Sequence, residues 1–190
     1  SSYAGVRLLS VKELTERRLE DFEDLIMKSL DDENEKVRQT AVQALITATA
    51  QDLLRQAMGS KHADIRVRAA SAVASLGDPA ALEVLMALAT AEEPSKDLKT
   101  EHKLWLKHVK KALEGIAELG EPGGQAELEQ LLESEHSGIR HGAVRALVWT
   151  ARQDSLEILK RVVRHADDQV KKEAALGLAY YGDRTGVDMV

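Results

Sequence analysis

The sequence predicts an all-α solenoid, a stack of helix–turn–helix units, and three observations carry that expectation. First, a phrase recurs as Val37-Arg38, Ile65-Arg66, Ile139-Arg140 and Val170-Lys171. Each instance is followed at offset four by Ala41, Ala69, Ala143 or Ala174, and at offset seven by Ala44, Ala72, Ala146 or Gly177. At offset eight comes Leu45, Val73, Leu147 or Leu178. Self-similarity at this period marks a repeat architecture. Second, Leu76-Gly77-Asp78-Pro79 matches Leu119-Gly120-Glu121-Pro122, the chemistry of one helix ending and another starting. Third, only 3% of residues are aromatic while 31% are charged, which suits Ala- and Leu-packed helices. No hairpin signal interrupts the pattern.

In chain order, Val6-Arg7 reads as a degraded first opener, with Ser10 at its first small position. The openers at 37 and 65 follow. Asp64 to Leu76 reads as one helix and Ala80 to Ala89 as its partner, with Gly77 as the stop between them. The second Leu-Gly-acid-Pro string places a hidden opener at His108, with Ala112, Gly115 and Ile116 at offsets four, seven and eight. That repeat carries an insertion, residues 92–103, and a helix is expected over 96–119. The repeats fall approximately at 3–32, 33–60, 61–91, 104–134, 135–165 and 166–190, five to six units in a single domain 1–190. The alanines and glycines at offset seven, Ala72 among them, are expected where helices pack most closely. The start at Ser1-Ser2 and the end at Val190, inside a repeat, read as a fragment of a longer protein with flanking domains.

These residues resemble HEAT-like repeats, most closely the short type named after phycobilisome lyases: Val-Arg, small residues, Leu-Gly-Asp-Pro, then a second amphipathic helix. The resemblance covers about residues 20–190, and more weakly 3–19. It implies an α-solenoid, and is shared by lyases, hydroxylases, regulators and scaffolds, so it leaves function open. It also implies that second helices line the concave face, here Glu23, Lys28, Arg55, Glu83, Glu127, Glu129, Gln130, Glu157, Lys160 and Arg161. The cations after the openers (Arg7, Arg38, Arg66, Arg140, Lys171) correspond to a ladder of charge in such families. Asp32 precedes Arg38 at a suitable distance, but the other openers lack the matching acid, so a partial ladder is expected.

Charge narrows the function classes. The net charge is −6, against the basic footprint that general nucleic-acid binding requires. Residues 1–95 hold 11 Lys/Arg against 16 Asp/Glu, and residues 96–190 hold 15 against 16. Glu20, Asp21, Glu23 and Asp24, then Asp31, Asp32, Glu33 and Glu35, read as a solvated face with helix-start acids or as a surface for a basic segment. Lys96, Lys99, Lys103, Lys107 and Lys110 follow one another at helical steps, opposite Leu98, Trp105, Val109, Ala112 and Ile116. They form either the solvated side of an amphipathic helix or an anion-binding stripe. Trp149 and Tyr180 share an offset of ten in adjacent repeats, so they are neighbours that either pack the seam or anchor a peptide. Tyr181 falls at a core offset.

Catalytic signatures are missing: no Cys, no G-x-S-x-G, no P-loop and no H-E-x-x-H. Among HEAT-like enzymes, the deoxyhypusine hydroxylases hold two irons through His-Glu dipeptides. Ile139-Arg140-His141-Gly142-Ala143 is similar to such a site, but Gly142 stands where the carboxylate is needed. The alkylpurine glycosylases use a basic concave face, which the acidic balance disfavours. The expectation is therefore a non-enzymatic cytoplasmic scaffold with no cofactor and no membrane span, binding a protein or peptide. Trp149, Tyr180, Glu127, Lys160 and Arg161 are its candidate contacts. The alternatives are a nucleic-acid-associated module using the Lys96–Lys111 helix face, and a lyase or isomerase subunit of the phycobilisome-lyase kind.

Overall fold

The computed structural model describes residues 2–15, 22–95, 97–119, 124–150, 153–165 and 167–185. Within them the chain is all-helical: α1 (Ser2–Thr15), α2 (Glu23–Ser29), α3 (Glu35–Thr47), α4 (Gln51–Ala57), α5 (Ala63–Ser75), α6 (Ala81–Ala89), α7 (Lys99–Leu119), α8 (Gly124–Leu131), α9 (Ser137–Thr150), α10 (Gln153–Val162) and α11 (Asp168–Tyr180). The odd-numbered helices carry the openers. The even-numbered helices are their partners. Together they form an α-solenoid.

Local chemistry sets the helix ends. The Asn34 side chain accepts the Lys36 N–H at 3.0 Å, and Asp167 accepts those of Gln169 and Val170 at 2.9 and 3.2 Å, so free first-turn donors are satisfied. Gly77 and Gly182 take φ of +76° and +80°, the left-handed stops that only glycine adopts without cost. After Gly77, the Asp78 carboxylate accepts the Ala80 N–H at 3.0 Å and turns the chain into α6.

The repeated offsets form the core. Val37, Ile65, Ile139 and Val170 are buried, and Ala41, Ala69, Ala112, Ala143 and Ala174 are fully enclosed. Ala112, Gly115 and Ile116 are all buried, so the register counted from His108 holds. Val6 departs from its expected role. It is 62% exposed, and Val11 supplies the buried contact of α1 instead. Among the described residues α1 packs mainly on α3. The offset-seven positions are unequal: Gly115 and Gly177 have no room for a Cβ at ordinary distance, whereas Ala72 is only partly buried.

The insertion becomes a coil followed by a longer helix. Residues 91–95 are irregular, and α7 starts nine residues before His108, while α3, α5, α9 and α11 start two before their openers. Trp105 is buried in this extension, and its indole N–H donates to the Ala91 carbonyl at 2.9 Å, pinning the coil to the helix. Leu98 does not join the buried face with Trp105, Val109, Ala112 and Ile116. It precedes the helix and is half exposed.

The two rows of helices are unequally spaced. The odd-numbered helices contact one another in unbroken sequence from α1 to α11, through the Ala and Gly positions. Among the even-numbered helices only α8 and α10 meet appreciably, and less closely than any neighbouring odd-numbered pair. A stack of wedges curves toward its narrower side, so the odd-numbered helices form the inner row. This corrects the expected placement: Arg55, Glu83, Glu127, Glu129, Lys160 and Arg161 belong to the outer row. Small residues decide the geometry, because they let inner helices approach where Leu and Ile hold the outer ones apart.

Candidate functional site

Several charges outside the inner grooves hold repeats together. The ladder after the openers runs forward to the approach to the next opener. Arg7 pairs with Asp32 at 2.6 Å, Arg38 with Asp64 at 3.2 Å and Arg140 with Asp167 at 2.6 Å. The other edge of the same guanidinium clamps the preceding turn. Nη1 of Arg38 donates to the carbonyls of Asp32 and Glu33, that of Arg66 to Ser60 and Lys61, and that of Arg140 to Ser134 and Glu135. A planar fork of five donors is suited to both tasks at once, and Lys is not. Among the described residues Lys171 accordingly pairs only within its own helix, with Asp168. Asp32 is close to Arg38, as expected, but through its backbone carbonyl; its carboxylate belongs to Arg7.

A second ladder links the outer row. Arg55 pairs with Asp78 at 2.7 Å, Lys160 with Asp183 at 3.3 Å and Arg161 with Glu129 at 2.6 Å. These contacts lower several carboxyl pKa values. Arg7 holds Asp32 below the usual carboxylate range, Arg140 does the same for Asp167, and the Ala80 N–H and Arg55 together do so for Asp78.

The inner row is built differently. Offsets −1, +3, +6 and +10 from each opener fall on one stripe of an α-helix. Grooves open between successive stripes. The groove between α5 and α7 has a volume of about 260 Å³ and is lined by Asp64, Arg68, Lys107, Lys110, Lys111 and Glu114, with Gln39 at its edge. Half-buried His108 also lines it. Burial lowers the His108 pKa, Lys107 and Arg66 lower it further, and Asp64 opposes them. Toward α1 the next groove adds Lys36, Gln43 and Thr47. Between α7 and α9 the lining becomes Leu106, Leu113, His141, Arg145 and Trp149. Between α9 and α11 it is Arg145, Val148, Trp149, Glu173, Leu176 and Tyr180. The inner face thus changes from cationic and polar to aromatic along its length.

Two family models match the chain. The one described as HEAT repeats matches residues 107–189, and the one described as PBS lyase HEAT-like repeat matches residues 65–90. The chain is a HEAT-like repeat protein. No curated protein matches this HEAT-like chain. Among solved structures it is similar to a designed armadillo repeat protein in complex with the peptide (KR)4, at 22% identity and a TM-score of 0.48, over 92% of this chain and 91% of that one. It is also similar to an engineered protein from a structural genomics programme, at 22% identity and a TM-score of 0.44, over 81% and 76% of the two chains.

The HEAT-like stack distributes the candidate residues unequally. Trp149 and Tyr180 line the same groove, 74% and 82% exposed, so they do not pack the seam. Tyr181 lies at the seam and not in the core as its offset predicts: it is 39% exposed, its hydroxyl donates to the Val148 carbonyl at 3.0 Å, and its ring meets that of Tyr180 edge-on. Lys107 and Lys110 line the α5–α7 groove, whereas Lys99 and Lys103 project from the helix extension and Lys96 lies outside the described residues. Glu127, Lys160 and Arg161 are on α8 and α10 and do not line the groove of Trp149 and Tyr180, and the two cations already serve the outer ladder. Among the described residues no group of three His, Cys, Asp or Glu side chains is arranged for a metal ion, and the position of a Gly142 Cβ is filled by the Leu113 side chain. No described helix is long and apolar enough to cross a membrane.

Lys36, Arg68, Arg145 and Leu176 were not among the residues singled out by sequence. Their signal is positional: each sits at offset −1, +3 or +6, on the stripe that Trp149 and Tyr180 continue at +10. Reading the opener helix as the inner one would have found them.

Proposed function

We propose that this chain is a non-enzymatic interaction scaffold that binds a segment of a protein partner along the grooves of its inner row. One observation supports this most strongly. Trp149, Leu176 and Tyr180 present large apolar side chains, 74%, 64% and 82% exposed, around a single groove. Exposed aromatic residues gathered in a concavity are the usual anchors of protein recognition. HEAT-like repeats commonly serve as interaction scaffolds, and Arg55, Lys160 and Arg161 of the outer row are already held in an internal ladder.

The test is selection of a displayed random peptide library on the immobilised chain, followed by titration of the selected peptides against Trp149→Ala/Tyr180→Ala. Both side chains are exposed, so the variant keeps its melting temperature. Selected peptides should lose at least about tenfold in affinity, as expected for removal of two aromatic anchors. Enrichment of no peptide, or of peptides that bind the double variant equally well, would overturn the reading.

A further inference from the structure

The inner grooves carry an imbalance of charge that the whole chain conceals. Each acid on the stripes of α5, α7 and α11 has at least one internal partner. Asp64 is held by Arg38 of the preceding layer, and Glu114 lies 3.8 Å from both Lys110 and Lys111. Glu118 accepts the Ser75 hydroxyl, and Glu173 accepts the Gln169 side-chain amide at 3.2 Å through one oxygen, its other oxygen being buried without a partner in the α9–α11 groove. The cations on the same surface are not matched. Lys36, Arg68, Lys107 and Arg145 have no carboxylate within ion-pair distance among the described residues, and Lys110 and Lys111 share one.

We propose that the inner row binds an extended acidic peptide segment, its carboxylates set against Arg68, Lys107 and Lys111 and a large apolar side chain set against Trp149 and Tyr180. This rests on the scaffold reading above and adds the chemistry and spacing of the partner. The cationic groove lies between α5 and α7 and the aromatic one between α9 and α11, two helix spacings along the stack. Packed helices are about 8–10 Å apart, so the two grooves are separated by roughly 20 Å. An extended chain advances about 3.3 Å per residue, so the acidic cluster and the apolar anchor should be about six residues apart. The chain's own charge of −6 sets the selectivity. It disfavours a long polyanion that must also pass acidic surface, while a short segment confined to the grooves meets mainly cations.

The experiment is fluorescence anisotropy on the full chain at about 150 mM salt, where the screening length is about 8 Å. The probes are labelled synthetic peptides: one with four consecutive glutamates and a phenylalanine six residues on, one with the phenylalanine adjacent to the glutamates, one with lysines for glutamates, and a labelled DNA duplex. The first peptide should bind at least about tenfold more tightly than the second or third, because only it spans both grooves with the right charge. Arg68→Glu/Lys107→Glu should lose at least about tenfold for it, with an unchanged melt, since both side chains lack internal partners. Equal binding of the adjacent-phenylalanine peptide would overturn the spacing, and retention of affinity by the double variant would overturn the site. Binding of the duplex as tight as that of the first peptide would assign the cations to nucleic acid instead. Preference for the lysine peptide, lost in Trp149→Ala, would overturn the acidic partner while leaving the scaffold reading intact. Binding of no probe, together with an unenriched peptide library, would remove both.

Discussion

Gly177→Ala tests the packing that creates the inner row. A Cβ added at Gly177 would lie 2.3 Å from one Val148 methyl and 3.0 Å from the other, well inside normal contact. Val148 is β-branched and stiff on a helix, so α9 and α11 must separate to relieve it. Overpacking of this kind costs about 1–3 kcal/mol. Replacing a mid-helix Gly with Ala returns about 0.5–1 kcal/mol. The net loss should be about 1–2 kcal/mol, a fall in melting temperature of roughly 2–8 °C for a chain of this size. Gly142→Ala is the control. Its added Cβ meets only the Leu113 Cδ1, at 2.4 Å, the far end of a flexible side chain that can turn away. That variant should stay within about 1 kcal/mol of wild type, because the gain in helix propensity offsets a small adjustment. Combining Gly177→Ala with Val148→Ala should recover stability relative to the sum of the single changes, since the two residues touch. Thermal and urea melts of the four variants measure this. A Gly177→Ala protein that melts at or above wild type, without coupling to Val148, would refute the close approach of α9 and α11.

Two further outcomes follow from the geometry. Trp105→Phe removes the hydrogen bond to Ala91 while keeping an aromatic ring. It should cost about 1 kcal/mol and speed proteolysis within residues 91–98 relative to the rest of the chain, read by limited digestion and mass spectrometry. Stability against pH should fall in two stages. The His108 pKa is lowered from 6.5 by folding, so its contribution is complete above that value and declines as pH falls below it, when the unfolded chain takes up the proton first. Asp32, Asp78 and Asp167 are lowered from 3.8, so their contribution is complete above that value and is lost as pH falls below it. Melting curves from pH 8 to 3 should show both stages, and His108→Gln should abolish the first alone.

The architecture was legible because each repeat writes the same physics. Ala41, Ala69 and Ala143 mark close approach, Val37, Ile65 and Val170 mark burial, and Gly77 and Gly182 mark stops. Even the opener at His108, hidden by the insertion, could be located from its ending. The site was less legible for two reasons. Which row faces inward depends on relative spacing between helices, which no single repeat encodes, and the wrong choice directed attention to Lys160 and Arg161. The ladder is partial, as expected, but its acids lie one opener further on: Arg38 reaches Asp64 and Arg140 reaches Asp167, while Arg66 meets only backbone carbonyls and Lys171 pairs within α11. Trp149 and Tyr180 could be paired by offset, but their exposure is a property of the groove. Leu98 illustrates the converse error: helical spacing was extrapolated past the point where α7 begins.

The central claim, that the inner row is the binding face, is tested most directly by the intrinsic fluorescence of Trp149. Trp105 is 8% exposed and contributes a shielded background, while Trp149 is 74% exposed and reports on the groove between α9 and α11. Titration with the unlabelled acidic peptide carrying the phenylalanine should shift the emission to the blue and protect it from acrylamide quenching. Both effects should be lost in Arg68→Glu/Lys107→Glu and retained in Arg164→Glu/Lys28→Glu, whose side chains lie away from the inner grooves. Binding detected by calorimetry with no change in Trp149 emission, or abolished by the second pair and not the first, would place the partner elsewhere on the solenoid and contradict the account.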